Sequence, residues 1–232
     1  GAAQHCLERS VAADPTLAAA HMNLGVLLAE RGHPEAGLAA LEAAHALKPD
    51  DPDIALNLAV VDINIEPPRA IARLRRLLAR HPDHRLALVN LAQASYRSGL
   101  YDETLACLDR LLAKEPGNPT WRLLQAGALV NDGRLEPARA IYQSILARGQ
   151  ASRQALTGLA QIHRFEGDSA GEAECWRRIL ALDPGHVQAL VGLARLSPPS
   201  AEERGRIERL AMSPDRPPGR RPPDARGQPA DL

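Results

Sequence analysis

Leucine and alanine recur at helical spacing along most of the chain, as in Leu24, Leu27 and Leu28 and then Leu38, Leu41, Ala44 and Leu47. Steps of three and four put each set on one side of a helix. Arg31-Gly32-His33-Pro34 separates the two sets and predicts a tight turn between paired helices. The pattern returns at a fixed period: Pro15, Pro49, Pro82, Pro116 and Pro184 are 34, 33, 34 and 68 residues apart. Gly32, Gly99, Gly133 and Gly167 follow at 67, 34 and 34. Both series place a one-residue deletion in the same unit, so the period belongs to the chain rather than to one residue type. Glycine is expected inside each hairpin, where positive φ is needed. Proline is expected to close the second helix or open the next connection. One such hairpin cannot bury its apolar face alone, whereas stacked neighbours can.

Two further columns run in phase. Small residues stand at Gly25, Ala59, Ala92, Ala126, Ala160 and Ala194, each preceded by a leucine (Leu24, Leu58, Leu91, Leu159, Leu193) except at Gln125. With the 34-residue period, these positions resemble a tetratricopeptide repeat array. The resemblance implies an all-α fold, a right-handed α-solenoid of stacked helix-turn-helix hairpins. In that register residues 1–17 are the second helix of a truncated repeat, and complete repeats run 18–51, 52–84, 85–118, 119–152 and 153–186. Residues 187–212 are a partial repeat with a capping helix. The array departs from the family pattern where Trp and Tyr are usual: the fourth position is His21, Ala55, Leu88, Arg122, Leu156 and Leu190, and the eleventh includes Leu28, Asp62, Ser95, Leu129 and His163. Gln125 in a core slot and Gln150 in place of proline mark the fourth repeat as the most irregular.

The resemblance also implies that the first helices line a concave groove. The sixth position is Asn23, Asn57 and Asn90 in consecutive repeats. An asparagine side chain both donates and accepts, so such a column suits the backbone of an extended peptide, or else neighbouring backbone within the stack. A similar asparagine ladder marks the repeats of protein O-linked N-acetylglucosamine transferases. Met22, Leu56 and Val89, with Val26 and Val60, are expected to make the first half of the groove apolar. Gln93, Arg97, Asn131, Gln161 and Arg164 are expected to make the rest polar to basic. The expected partner is a protein or peptide, and self-association through the uncapped N-terminal half repeat, around Leu7, is an alternative.

Composition narrows the remaining classes. Lys plus Arg is 28 and Asp plus Glu is 28, so no overall field points to nucleic acid or an anionic membrane. Every apolar stretch is interrupted before it reaches the length of a membrane span. Cys6, Cys107 and Cys175 are far apart and odd in number, which suits isolated buried thiols in a reducing, cytoplasmic setting. Heavy use of Ala, Arg and Pro points to a GC-rich bacterial genome. Neither a phosphate-cradling glycine loop nor a Gly-x-Ser-x-Gly elbow is present, and the histidines form no metal-ligand spacing. Glu172 and Glu174 read as surface carboxylates beside Arg177 and Arg178. The chain therefore reads as a non-enzymatic scaffold without metal or cofactor.

At the C-terminal end, Ser200-Ala201-Glu202-Glu203 ahead of Ile207 and Leu210 predicts a capping helix, and residues 213–232 are Pro/Arg-rich and expected to be disordered. The junction also resembles that between repeats and catalytic domain in bacterial repeat-bearing sulfotransferases. That resemblance implies a substrate-presenting arm of a sulfotransferase or glycosyltransferase whose catalytic part is missing from this chain.

Overall fold

A computed structural model describes residues 1–149 and 152–196. These residues form helices α1 (Ala2–Ala13), α2 (Ala18–Glu30), α3 (Pro34–Leu47), α4 (Pro52–Ile65), α5 (Pro67–Arg80) and α6 (Arg85–Arg97). The series continues with α7 (Tyr101–Lys114), α8 (Pro119–Asn131), α9 (Leu135–Ala147), α10 (Arg153–Glu166), α11 (Ser169–Leu182) and α12 (Val187–Leu196). No strand occurs among the described residues. Gln150, the expected capping helix and the expected tail lie outside them.

The chain divides into two compact units, one running from Gly1 to Gly158 and the other starting at Leu159, within α10. In the first unit each helix from α1 to α9 packs against the next in chain order, and α4 also touches α2 and α6. Neighbouring hairpins thus share their apolar faces, the arrangement of an α-solenoid. Leu38, Leu41 and Ala44 of α3 close on Ile54 and Leu58 of α4. Leu74, Leu77 and Leu78 of α5 then pack with Leu88 and Leu91 of α6 and Leu108 and Leu111 of α7. In the second unit α11 packs on α12.

Local chemistry explains the helix limits. Pro34, Pro52, Pro67 and Pro119 open α3, α4, α5 and α8, where a missing N–H costs nothing. The Asp51 carboxylate accepts from the Asp53 and Ile54 N–H groups at 3.0 and 3.3 Å, capping α4. His84 caps α6 by accepting from the Ala87 N–H through Nδ1 at 3.2 Å. Gly32, Gly99, Gly133 and Gly167 take φ of 84°, 74°, 80° and 75°, as the hairpin pattern requires. In each of these turns an N–H just past the glycine reaches back to a carbonyl of the preceding helix, as from Leu100 to Ser95 at 2.8 Å.

The shortened unit turns differently. Glu66, with extended φ of −142°, is the only residue between α4 and α5. Its N–H still closes α4 on the Asp62 carbonyl at 2.8 Å.

Three expectations need correction. Glu172 is not on the surface: it is 2% exposed, accepts from Trp176 Nε1 at 3.1 Å, and pairs with Arg195 at 2.6 Å. Its place in the repeat is the slot that holds Gly37, Ala70 and Ala138 in other units, so it faces inward and needs partners. Of the three thiols, Cys107 and Cys175 are buried but Cys6 is exposed, because none of α1's residues is buried. Burial pushes the Cys107 thiol up to about 11, away from reactivity. Gln125 avoids the core slot's penalty by donating to Asp109 Oδ1 at 2.9 Å.

Candidate peptide-binding face

The three asparagines lie on α2, α4 and α6, which are adjacent in the first unit. Each immediately precedes a buried leucine, Leu24, Leu58 or Leu91, so it falls at the edge of the core rather than inside it. Asn23 is exposed, and Asn57 and Asn90 are half-buried. Their amides are not equivalent. Asn90 Nδ2 donates to the Leu86 carbonyl of its own helix at 2.8 Å, so one of its hydrogens is already committed. Asn23 and Asn57 make no side-chain hydrogen bond to the described residues.

The apolar neighbours divide in the same way. Leu56 is 7% exposed and belongs to the core cluster, so it supports the surface from beneath. Met22, Val26 and Val89 are half-buried and pack partly against core residues. Val60 is 40% exposed and Leu86, on α6, 52% exposed, the latter missed in the sequence because its position in the repeat is often polar. Met22, Val26, Val60, Val89 and Leu86 therefore give the first-helix side apolar area beside unbonded amides.

Toward α8 the surface turns polar. Gln93, Arg97 and Asn131 are exposed. Asn131 Nδ2 donates to the Tyr96 hydroxyl at 3.0 Å, joining α6 to α8. Gly127 lies between two phenols: a Cβ there would stand 3.3 Å from Tyr96 Oη and 3.9 Å from Tyr142 Oη. Burial, with Tyr96 adding to it, pushes the Tyr142 phenol up to about 12, so it stays a neutral donor at physiological pH. The bond between Tyr96 and Asn131 could have been sought in the sequence, since the two fall at neighbouring positions of consecutive repeats. Gln161 and Arg164 lie on the part of α10 that belongs to the second unit, half-buried and exposed respectively. Among the described residues no group of three His, Cys, Asp or Glu side chains is placed to hold a metal ion. No described helix is long and apolar enough to cross a membrane.

One tetratricopeptide repeat profile matches residues 66–126 and 96–162, and a second matches residues 1–52. The chain belongs to the tetratricopeptide repeat family. A repeat protein of Parabacteroides merdae superposes with a TM-score of 0.70 at 16% identity, over 84% of this chain and 76% of that one. MamA from Desulfovibrio magneticus RS-1 gives 0.67 at 19% identity, over 73% and 97%. YrrB, described as a repeat protein with an unusual peptide-binding site, gives 0.67 at 16%, over 80% and 96%. These likenesses show the fold. In sequence, the chain is 34% identical over 73 residues to protein adenylyltransferase fic-1 of Caenorhabditis elegans, spanning 32% of this tetratricopeptide chain but 14% of that protein.

Proposed function

We propose that this array is a protein-interaction scaffold whose first helices hold an extended segment of another protein. The observation that carries the reading is the pair Asn23 and Asn57, in phase and with unbonded amides beside the exposed Val60. Packed helices stand roughly 8–10 Å apart, and an extended chain advances about 3.3 Å per residue. Successive asparagines therefore meet the peptide backbone about every third residue, which fixes register without reading side chains. The apolar patch and the polar set at Arg97, Asn131 and Tyr96 supply the sequence preference, an apolar stretch followed by an acidic one. The peptide-binding site in YrrB's description supports this use of the fold.

A peptide selected by the purified chain from a displayed random library tests it. The Asn23→Ala, Asn57→Ala, Asn90→Ala variant should keep its helicity and bind that peptide more weakly, at about 0.5–1.5 kcal/mol per hydrogen bond lost. Unchanged affinity would remove the asparagines from the interface.

A second reading makes the repeats a substrate-presenting arm of a sulfotransferase or glycosyltransferase. The likeness over 73 residues to part of an adenylyltransferase, a transferase of another kind, is the observation that prompts it. A transferase domain encoded in frame beside these repeats would support that reading, and none would oppose it.

A further inference from the structure

On α4, Pro52, Ala55 and Leu58 are spaced by three and share one side, while Asn57 and Val60 fall on the opposite side at 3.6 residues per turn. The side carrying Pro52, Ala55 and Leu58 borders a cavity of about 330 Å³, open between the C-terminal ends of α3 and α5 and the first turns of α4. Its floor is apolar: Pro52, Ala55, Leu58 and Leu77. Its wall is basic, with Arg73, Arg76 and Arg80 in steps of three and four along α5 and His45 facing them from α3.

The charges in this wall are not equally available. Arg73 Nε stands 2.8 Å from the buried Asp62 carboxylate and its Nη2 3.2 Å from Glu42, so that guanidinium is committed. Arg80 pairs with Asp50 at 2.5 Å, but both side chains are exposed, and such a pair is worth little and readily exchanged. The Asp51 carboxylate is occupied by the backbone of α4. Arg76 has no ion-pair partner among the described residues. His45 also lines the cavity, and its ring Nδ1 is buried with no hydrogen-bond partner among the described residues. An apolar floor beside one uncommitted guanidinium and a histidine suits an anionic group that brings apolar surface with it, with Asp50 and Asp51 already engaged by Arg80 and the α4 backbone.

We propose that this cavity binds an oxyanion, a carboxylate or a phosphate ester, on a short apolar stem. Arg76 is the charge partner, the His45 ring bonds the same headgroup, and the stem lies on Leu58 and Leu77. Arg80 turns from Asp50 to the bound group. The site is separate from the peptide-binding face, since α4 presents opposite sides to the two, and it stands whether or not that face binds peptide.

Titration of the isotope-labelled full chain with phenyl phosphate, benzoate and benzyl alcohol, followed by NMR, tests it. The expected result is saturable shifts at the His45 ring, the Arg76 guanidinium and the Ala55 and Leu58 amides with an anion, and none with the alcohol. The tighter anion names the headgroup. Arg76→Ala, and Arg76→Gln as a variant that keeps more of the stem, should each weaken binding about tenfold, the loss of one charge-assisted hydrogen bond. No saturable shift with either anion, equal binding of benzyl alcohol, or unaltered binding in both Arg76 variants would overturn the assignment.

Discussion

Arg69 Nη2 reaches the Asp62 carboxylate at 2.5 Å, although Asp62 is 0% exposed and stands where the family usually has tyrosine. Arg73 Nε holds the other oxygen at 2.8 Å, and Glu66 pairs with Arg69 Nη1 at 3.1 Å. The three partners surround the one-residue turn between α4 and α5. They supply the order that a left-handed glycine gives in other hairpins. Asp62→Ala leaves two guanidiniums that still have Glu42, Glu66 and water, and should cost about 1–3 kcal/mol. The double change Arg69→Ala, Arg73→Ala strands a buried carboxylate and should cost more, about 3–5 kcal/mol. Urea unfolding followed by circular dichroism checks the order, and a double variant as stable as Asp62→Ala would refute it.

Gly25 and Gly37 let α2 and α3 approach closely. A Cβ on Gly25 would lie 2.6 Å from Leu41 Cγ and 2.7 Å from the Gly37 carbonyl, and one on Gly37 would lie 2.7 Å from the Gly25 carbonyl. Alanine ordinarily gains about 0.5–1 kcal/mol over glycine inside a helix. Here overpacking of about 1–3 kcal/mol opposes that gain, so Gly25→Ala and Gly37→Ala should each lower the melting temperature. A rise in either would show that the helices separate freely at this crossing.

Glu103 ties acid sensitivity to the contact between α5 and the α6–α7 hairpin. Burial alone would raise its carboxyl, but Arg75, in a two-bond pair at 2.6 and 3.0 Å, and the Ser95 hydroxyl at 2.6 Å hold it below the ordinary glutamate value. A lowered folded-state value means stabilisation that is fully present above the unfolded value, about pH 4.3, and lost as pH falls through the folded one. Glu103→Gln should cost about 1–3 kcal/mol at neutral pH. It should also flatten the loss of stability below about pH 4.3, since the variant has no proton to take up there. Urea midpoints measured across that range decide it, and parallel curves for the two proteins would exclude the role.

The repeat was legible because period, turn and small-residue columns are local signals: Gly32 and Gly99 take positive φ, and Ala59, Ala92 and Ala126 are fully buried, as the phase of the pattern requires. What escaped was pairing between residues on different helices. Asp62 stood out as a departure from the family pattern, but its need for Arg69 and Arg73 is visible only once α5 folds back on α4. Glu172 looked like half of a surface pair until its partner proved to be Arg195, on α12. The candidate binding face was legible as a column of asparagines. Which amides are uncommitted was not, because the bond from Asn90 to Leu86 depends on a rotamer rather than on sequence spacing.

The lone residue Glu66 between α4 and α5 has a mechanical consequence. A hairpin joined through one residue and gripped by the Asp62 carboxylate has little slack, so tension on α4 should pass directly to α5. The glycine turns of α2–α3 and α6–α7, each three residues long, should therefore yield first when the array is stretched, leaving the shortened repeat as the stiffer link.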